Sequence, residues 1–342
     1  DTRPMTKKTT EPEVLNATQE DGFEEVQIPL SERGERHSQE ECGACPYARR
    51  MAALGLSPMA CYSPISGFRA PGGSVTFDRN VGFVDLPVTV SCGRCVGCRL
   101  ERSRQWAVRC VHEAQMHDAN CFLTLTYDDE HLPEDGSLDV KHWQDFAKRM
   151  RKRGIKFRYF HCGEYGEENA RPHYHAAIFG YGFHGDRKPW IQSRENTLYR
   201  SALLEGLWTY GHSSIGELTF QSAAYVARYV MKKVTGDQAE DHYQGRKPEY
   251  TTMSRRPGIG ATWLAKFKND VYPNDQVISN GRPAKPPKFY DSRLEASSPD
   301  IHAIIKRQRR ERGGSRPHDN TPERLRVREQ VQEERAARLT RK

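Results

Sequence analysis

The stretch Pro172-His173-Tyr174-His175-Ala-Ala-Ile-Phe-Gly180 limits the fold more than any other part of this chain. Proline is tolerated as the first residue of a strand, where no ladder N–H is lost. The Tyr, Ala, Ile and Phe that follow suit a buried strand, closed by glycine. Side chains alternate across a strand, so His173 and His175 share one face and Tyr174 takes the other. Two imidazoles on one face of a rigid strand can hold a divalent metal once a neighbouring strand adds a third ligand. The plainer reading is two polar residues on a solvated sheet face.

The flanking sequence predicts the partners of that strand. Phe122-Leu-Thr-Leu-Thr-Tyr127 is a period-two run, with Leu123, Leu125 and Tyr127 on one face and Thr124 and Thr126 on the other. Asp139 caps a predicted helix whose apolar face is Val140, Trp143, Phe146, Ala147 and Met150, ending at Gly154. A second strand, Phe157–Cys162, leads through Gly163-Glu164-Tyr165-Gly166 into a polar turn and back to the histidines. If these strands form a hairpin, Glu164 comes near the imidazoles, with Glu167 and Glu168 as alternatives further into the turn. One carboxylate with two histidines and open positions suits Mg²⁺ or Mn²⁺ in a phosphate-handling site. Strand, helix, strand, strand in this order predicts an antiparallel α+β sandwich.

Charge and cysteine usage narrow the partners. The formal charge is +8, but residues 1–58 hold 7 Lys/Arg against 11 Asp/Glu, whereas residues 306–342 hold 13 against 6. A basic tail suits a polyanion such as nucleic acid, although a charged tail is equally a solvated face. No apolar run approaches the ~18 residues needed to cross a bilayer, and the expectation is a soluble, intracellular protein without a membrane partner. Cys92-Gly-Arg-Cys95-Val-Gly-Cys98 has the spacing of a Zn²⁺ knuckle, with Cys61 as the expected fourth ligand and Cys42 and Cys45 as a competing pair. The alternative is a set of buried thiols in a Gly-rich turn. From Arg99 to about Asp118 the pattern is helical, and its outer face carries Arg102 and Arg104, either solvated or against phosphates. Gly258-Ile-Gly260 before an apolar run places Arg255 and Arg256 beside a helix N-terminus, which is either a phosphate contact or a plain loop.

Residues Ala223 to Lys233 have helix-compatible composition, with Tyr225 and Tyr229 four apart on one face and Lys232 and Lys233 a turn beyond. An aromatic pair at this spacing commonly just covers a core. The chemistry that needs it is phosphodiester transesterification, in which a phenolate attacks a phosphate and becomes covalently joined to DNA, helped by a metal and by cationic side chains.

Phe122-Leu-Thr-Leu-Thr-Tyr127, Arg171-Pro-His-Tyr-His175 and Tyr225-Val-Ala-Arg-Tyr229 with Lys232 and Lys233, in that order, resemble the HUH endonuclease superfamily. Within it the chain looks like the replication initiators of gokushovirus-type microviruses. Cys92 to Arg99, Glu101 to Trp106, and Arg255 to Gly260 share that likeness, which covers about residues 59–290. The resemblance implies a five-stranded antiparallel sheet with flanking helices, ferredoxin-like or RRM-like. It also implies a metal-dependent nickase and ligase that starts and ends rolling-circle replication of a small circular phage genome through a 5′-phosphotyrosine. Its partners would be single-stranded and origin DNA with the host polymerase and helicase, in the bacterial cytoplasm. The implied site is Tyr225, Tyr229, Lys232, Lys233 and Arg228 for catalysis and His173, His175 and Glu164 for metal, with Arg102, Arg104, Arg171, Arg255 and Arg256 on DNA. Arg228 stands where relatives commonly carry Lys, and it cannot give up a proton. The expected organisation is an extension over 1–58, a Cys-rich element over 59–98, an endonuclease domain over 99–290, and a linker with a basic charged tail over 291–342. Two other readings are a zinc-stabilised DNA-binding regulator without catalysis and a plasmid relaxase.

Overall fold

A computed structural model describes residues 23–25, 61–166, 169–192, 197–229, 238–272, 274–279, 281–314 and 320–339. They fall into two compact units, one drawn from residues 1–29 and 64–93, the other from 30–63 and 94–342.

The smaller unit is a four-stranded antiparallel sheet. Its strands are β1 (Phe23–Glu25), β2 (Ile65–Arg69), β3 (Val75–Thr76) and β4 (Phe83–Ser91), in the order β1-β4-β2-β3. Val88 and Val90 are buried on β4, while Phe83, Val84 and Leu86 stay exposed.

The larger unit begins with α1 (Val96–Ala114), then β5 (Asn120–Tyr127), α2 (Val140–Lys152), β6 (Arg158–Tyr165) and β7 (Pro172–Phe179). There follow β8 (Lys188–Gln192), β9 (Thr197–Arg200), α3 (Ala202–Leu207), β10 (Gly211–Gly216) and α4 (Phe220–Tyr229). After α5 (Gln238–Tyr243) and β11 (Tyr250–Met253) come α6 (Ala261–Val271) and the short hairpin of β12 (Val277–Ser279) and β13 (Arg282–Ala284). The last elements are α7 (Lys288–Ser297), α8 (Pro299–Gly314) and α9 (Pro322–Leu339).

The main sheet has seven strands, in the order β11-β6-β7-β5-β10-β9-β8, not the five that the family resemblance implied. The extra pair, β8 and β9, extends the edge beyond β10. Lys188-Pro-Trp-Ile-Gln192 shows no apolar alternation because all five residues of β8 are exposed, and its Pro189 suits an edge where no ladder partner is lost.

Each face of the sheet has its own core. On one face Leu123, Leu125, Tyr174 and Ile178 pack with Trp143, Phe146 and Met150 of α2 and Leu204 and Leu207 of α3. Those α2 residues recur at helical spacing, and Asp139 caps the helix by accepting from the Lys141 N–H, as its sequence predicts. On the opposite face Phe160, Cys162, Ala177 and Phe179 pack with Ala107 and Cys110 of α1 and Ala223, Val226 and Ala227 of α4. β7 is therefore covered on both sides, which explains its almost unbroken apolar run.

The C-terminal stretch differs from the frayed basic arm read from its charge. It forms two helices, and α8 is fastened by Arg309, which bonds Asp275 at 2.5 Å and Asp291 at 2.6 Å. Arg312 adds a third contact to Asp275 at 2.8 Å. Part of the positive charge is thus committed to internal pairs.

His112 of α1 lies within a third cluster, its ring stacked at 3.5 Å on Trp263 and its Nδ1 2.9 Å from the Tyr290 hydroxyl. Burial lowers its pKa from 6.5 to about 4. Between those values the unfolded chain binds a proton that the folded chain does not, so stability falls as pH drops through that window. The fully buried His161 shifts in the same direction. Urea unfolding at pH 7 and pH 5 is expected to show at least about 2 kcal/mol less stability at the lower pH. His112→Phe should narrow that difference.

Candidate functional site

Backbone register assembles the site. β6 continues past Cys162 to Tyr165, so Glu164 lies in the ladder rather than in the turn, directly opposite His173. On the other side of β7, Thr124 pairs with His175 and Thr126 with His173. All five side chains therefore rise from the same face of three adjacent strands.

The ligand-type atoms converge. Glu164 Oε1 is 2.7 Å from His173 Nε2 and 2.9 Å from His175 Nε2. The carboxylate is 1 % exposed, so its charge has almost no water to solvate it. Burial, opposed by the neighbouring Glu164, holds the His175 pKa below its ordinary value.

Whether a cation fits here is decided by hydrogen bonds on the far side of each ring. His173 Nδ1 is 3.1 Å from the Arg171 carbonyl, which can only accept, so that nitrogen carries the proton. A neutral His173 then turns a lone pair on Nε2 toward a carboxylate oxygen 2.7 Å away. Two acceptors at that distance repel unless positive charge lies with them, as a second ring proton or as a metal ion. Glu164 Oε2 is also buried and accepts no hydrogen bond among the described residues. An orphaned carboxylate oxygen beside two imidazoles fits a divalent cation.

Tyr225 meets this cluster from α4. Helix α4 starts with a reciprocal cap: the Ser222 N–H donates to Thr219 Oγ1 at 3.1 Å and the Thr219 N–H donates to Ser222 Oγ at 2.8 Å. Ala223, Val226 and Ala227 turn into the core, and the Ser103 hydroxyl ties α1 to the Ala224 carbonyl at 3.0 Å. That leaves Tyr225 on the rim, 36 % exposed, with its ring edge-on to His175 at a centroid separation of 5.0 Å and an angle of 89°. Tyr229 ends the same helix one turn later. The side chains of Arg228 and Tyr229, and all of Lys232 and Lys233, lie outside the described residues, as do Glu167 and Glu168.

The arginines expected on DNA are not equivalent. Arg255 and Arg256 are exposed, and Arg102 is half-buried. Arg104 grips Glu101 through two nitrogens, at 2.5 and 2.6 Å. Arg171 donates to the Tyr127 carbonyl at 3.0 Å and pairs with Asp129 at 2.8 Å. The α6 N-terminus offers less to a phosphate than its sequence suggests, because the Gly260 N–H already donates to Glu113 Oε2 at 2.7 Å.

The cysteines form a second group able to hold a metal. Within the larger unit the sulfurs of Cys61, Cys95 and Cys98 lie within 4.8 Å of one another. Cys95 Sγ accepts from the N–H groups of Tyr62 at 3.3 Å and Cys98 at 3.4 Å, and so caps α1. Cys92 stands three residues before Cys95 in the sequence, while Cys42 and Cys45 lie outside the described residues.

Two contributors had no role assigned from sequence. Thr219 and Ser222 orient the tyrosine helix, and their Thr-x-x-Ser spacing before an Ala-rich run was the available signal. Thr124, visible only as a period-two neighbour of Thr126, donates to or accepts from His175 Nδ1 at 3.0 Å.

Residues 120–234 match the family model of the ORF2 type of replication-associated protein. The chain is 34 % identical over 253 residues to replication-associated protein VP4 of Bdellovibrio phage phiMH2K, covering 71 % of this chain and 79 % of that protein. It is 33 % identical over 240 residues to replication-associated protein ORF2 of Spiroplasma virus 4, covering 66 % and 73 %. With replication-associated protein ORF4 of Chlamydia phage 1 it shares 31 % identity over 213 residues, 59 % of this chain and 53 % of that one. No solved structure matches.

Mn²⁺ titration followed by electron paramagnetic resonance tests the cluster. One saturable site is expected in the wild type, weakened on the order of a hundredfold in His173→Ala and in Glu164→Ala. Equal binding by all three proteins would exclude these ligands.

Proposed function

The chain belongs to the microvirus-type rolling-circle replication initiators, the replication-associated proteins of phages, and from that footing we propose that it nicks and rejoins single-stranded DNA with a tyrosine nucleophile. The observation that carries this reading is the edge-on approach of Tyr225 to His175, at 5.0 Å, on the rim of the Glu164–His173–His175 cluster.

The step exchanges one phosphate ester for another. Tyr225 Oη attacks the scissile phosphorus, a phenolic O–P bond forms, and the P–O3′ bond breaks. The phenol proton passes to solvent, and the departing 3′ oxygen takes up a proton to become a free hydroxyl. The 5′-phosphate stays on the tyrosine, so bond energy is kept and the reverse attack by a 3′-hydroxyl rejoins the strand. Tyr229, one turn away, is placed in sequence for the second transfer that closes a displaced circle.

When bound by Glu164, His173 and His175, Mg²⁺ or Mn²⁺ would withdraw charge from the non-bridging phosphate oxygens. The chain's own groups do the rest. The half-buried His173, the buried His175 and the buried carboxylate keep that corner of the sheet dry, while the partial exposure of Tyr225 lets a DNA strand reach it. Arg228 supplies a permanent positive charge near the tyrosines, and protonation of the leaving oxygen falls to Lys232 or Lys233, since Arg cannot release a proton. Exposed Arg255 and Arg256 are assigned to phosphate contacts, with Arg102 and Arg171 as further candidates.

The free 3′-hydroxyl is a primer for the host polymerase, and a host helicase would displace the old strand. No helix among the described residues is long and apolar enough to cross a membrane. Phage replication proteins act in the host cell, and the cytoplasm holds the DNA and polymerase that this reaction needs. The organisation proposed for this work is a catalytic domain over 99–290 preceded by a Cys-rich element over 59–98. In that element Cys61, Cys95 and Cys98 are assigned to a structural Zn²⁺, with Cys92 as the fourth thiolate expected from the sequence.

A labelled single-stranded oligonucleotide spanning the phage origin, incubated with Mg²⁺ or Mn²⁺, should yield a denaturant-resistant protein–DNA adduct. Chelation and the Tyr225→Phe/Tyr229→Phe double variant should each abolish it, and nicking that persists in the double variant would reject the mechanism. His173→Ala should stop cleavage while changing DNA affinity only a few-fold, because affinity rests mainly on phosphate contacts. Purified protein should also carry about one thiolate-bound zinc per chain, lost in Cys95→Ser. A zinc-free wild type would end that assignment.

A further inference from the structure

The two histidines are held from behind by partners of different kinds. His173 Nδ1 faces the Arg171 carbonyl at 3.1 Å, an obligate acceptor that fixes the ring's tautomer. His175 Nδ1 faces Thr124 Oγ1 at 3.0 Å, a hydroxyl that can either give or take a proton. Thr124 is the direct cross-strand neighbour of His175, so its Cα position is set by the β5–β7 ladder and its branched side chain has little rotational freedom.

We propose that Thr124 is the positioning residue for His175, and that its hydroxyl accepts from Nδ1–H so that an unprotonated Nε2 faces Glu164 and a divalent cation. The proposal rests on reading Glu164, His173 and His175 as a cation site. Its physical basis is a competition between two tautomers of one neutral ring. With the proton on Nε2, the ring satisfies itself by donating to Glu164 Oε1, 2.9 Å away, and no lone pair is left for a metal. With the proton on Nδ1, that N–H needs an acceptor, because a buried unpaired donor is costly. Thr124 is that acceptor. Without it the ring would favour the Nε2–H form, and an arriving cation would have to move that proton first. The surrounding rings, Phe122 at 5.4 Å and Tyr225 at 5.0 Å, pack on His175 and offer no carbonyl or carboxylate in place of the hydroxyl.

The test compares Thr124→Val, which keeps the shape and strand preference but loses the oxygen, with Thr124→Ser, which keeps the oxygen. Mn²⁺ affinity of the full chain without DNA is read by electron paramagnetic resonance. The valine variant should bind on the order of ten- to a hundredfold more weakly, and the serine variant should bind close to wild type. Wild-type affinity in the valine variant overturns the proposal. So does equal weakening in both variants, which would make the methyl group and its packing responsible. A wild type with no saturable site would instead overturn the cation site itself. Nitrogen-15 shifts of the His175 ring in the Mg²⁺-loaded wild type give a readout that needs no variant. A protonated Nδ1 is expected, and a bare Nδ1 refutes the assignment.

Discussion

The antiparallel ladder of β5, β7 and β6 is the constraint on which everything else in the larger unit rests. It sets Glu164 opposite His173 and Thr124 opposite His175, and it does so through backbone hydrogen bonds alone. Because strand side chains alternate, a slip of one residue would turn the histidines toward Trp143 and put Tyr174 in their place. The register is held against such a slip by burial on both faces. Leu123, Leu125, Tyr174 and Ile178 belong to one core, and Phe160, Ala177 and Phe179 to the other.

The two cores differ in grain, and that difference makes room for the site. The α2 side is filled by Trp143, Phe146 and Met150, whereas the α1 and α4 side uses Ala107, Cys110, Ala223 and Ala227. Small residues let α4 lie close to the sheet, so a tyrosine just off its buried stripe lands at the rim, beside His175, rather than beyond reach. The same closeness dries the carboxylate. Glu164 has two imidazole nitrogens and almost no water around it, an arrangement that is costly for an anion unless a cation or a proton shares the space. A residue placed this way makes sense as a ligand and poor sense as a structural acid.

Charge was the least reliable guide. The C-terminal stretch carries a clear excess of Lys and Arg, and composition alone made it a DNA-binding arm. In the fold Arg309 and Arg312 answer Asp275 and Asp291, residues 18 to 37 positions earlier in the chain. Arg104 and the α6 N-terminus were likewise read as phosphate contacts, yet the first is bonded to Glu101 and the Gly260 N–H of the second to Glu113. A net charge counts side chains without their partners, and the partners are supplied by tertiary contacts.

What the sequence determined by itself was local and periodic. The alternation of Phe122 to Tyr127, the Pro-started histidine strand and the Asp139 cap each follow from the two- or 3.6-residue repeat of the backbone, so they needed no distant information. The pairing of Cys95 with Cys98 at a helix start was legible for the same reason. Only the tertiary structure decided that Glu164, and not Glu167 or Glu168, is the carboxylate within reach among the described residues, since that depends on how far β6 runs before it turns. It also decided that β8 and β9 join the sheet, because an edge hairpin exposed on every residue of one strand leaves no hydrophobic period to read. Likewise the meeting of Tyr225 with His175, fifty residues apart, arises from the docking of α4 on the sheet face. A periodicity fixes which side a residue faces, and only the packed chain fixes what stands there to meet it.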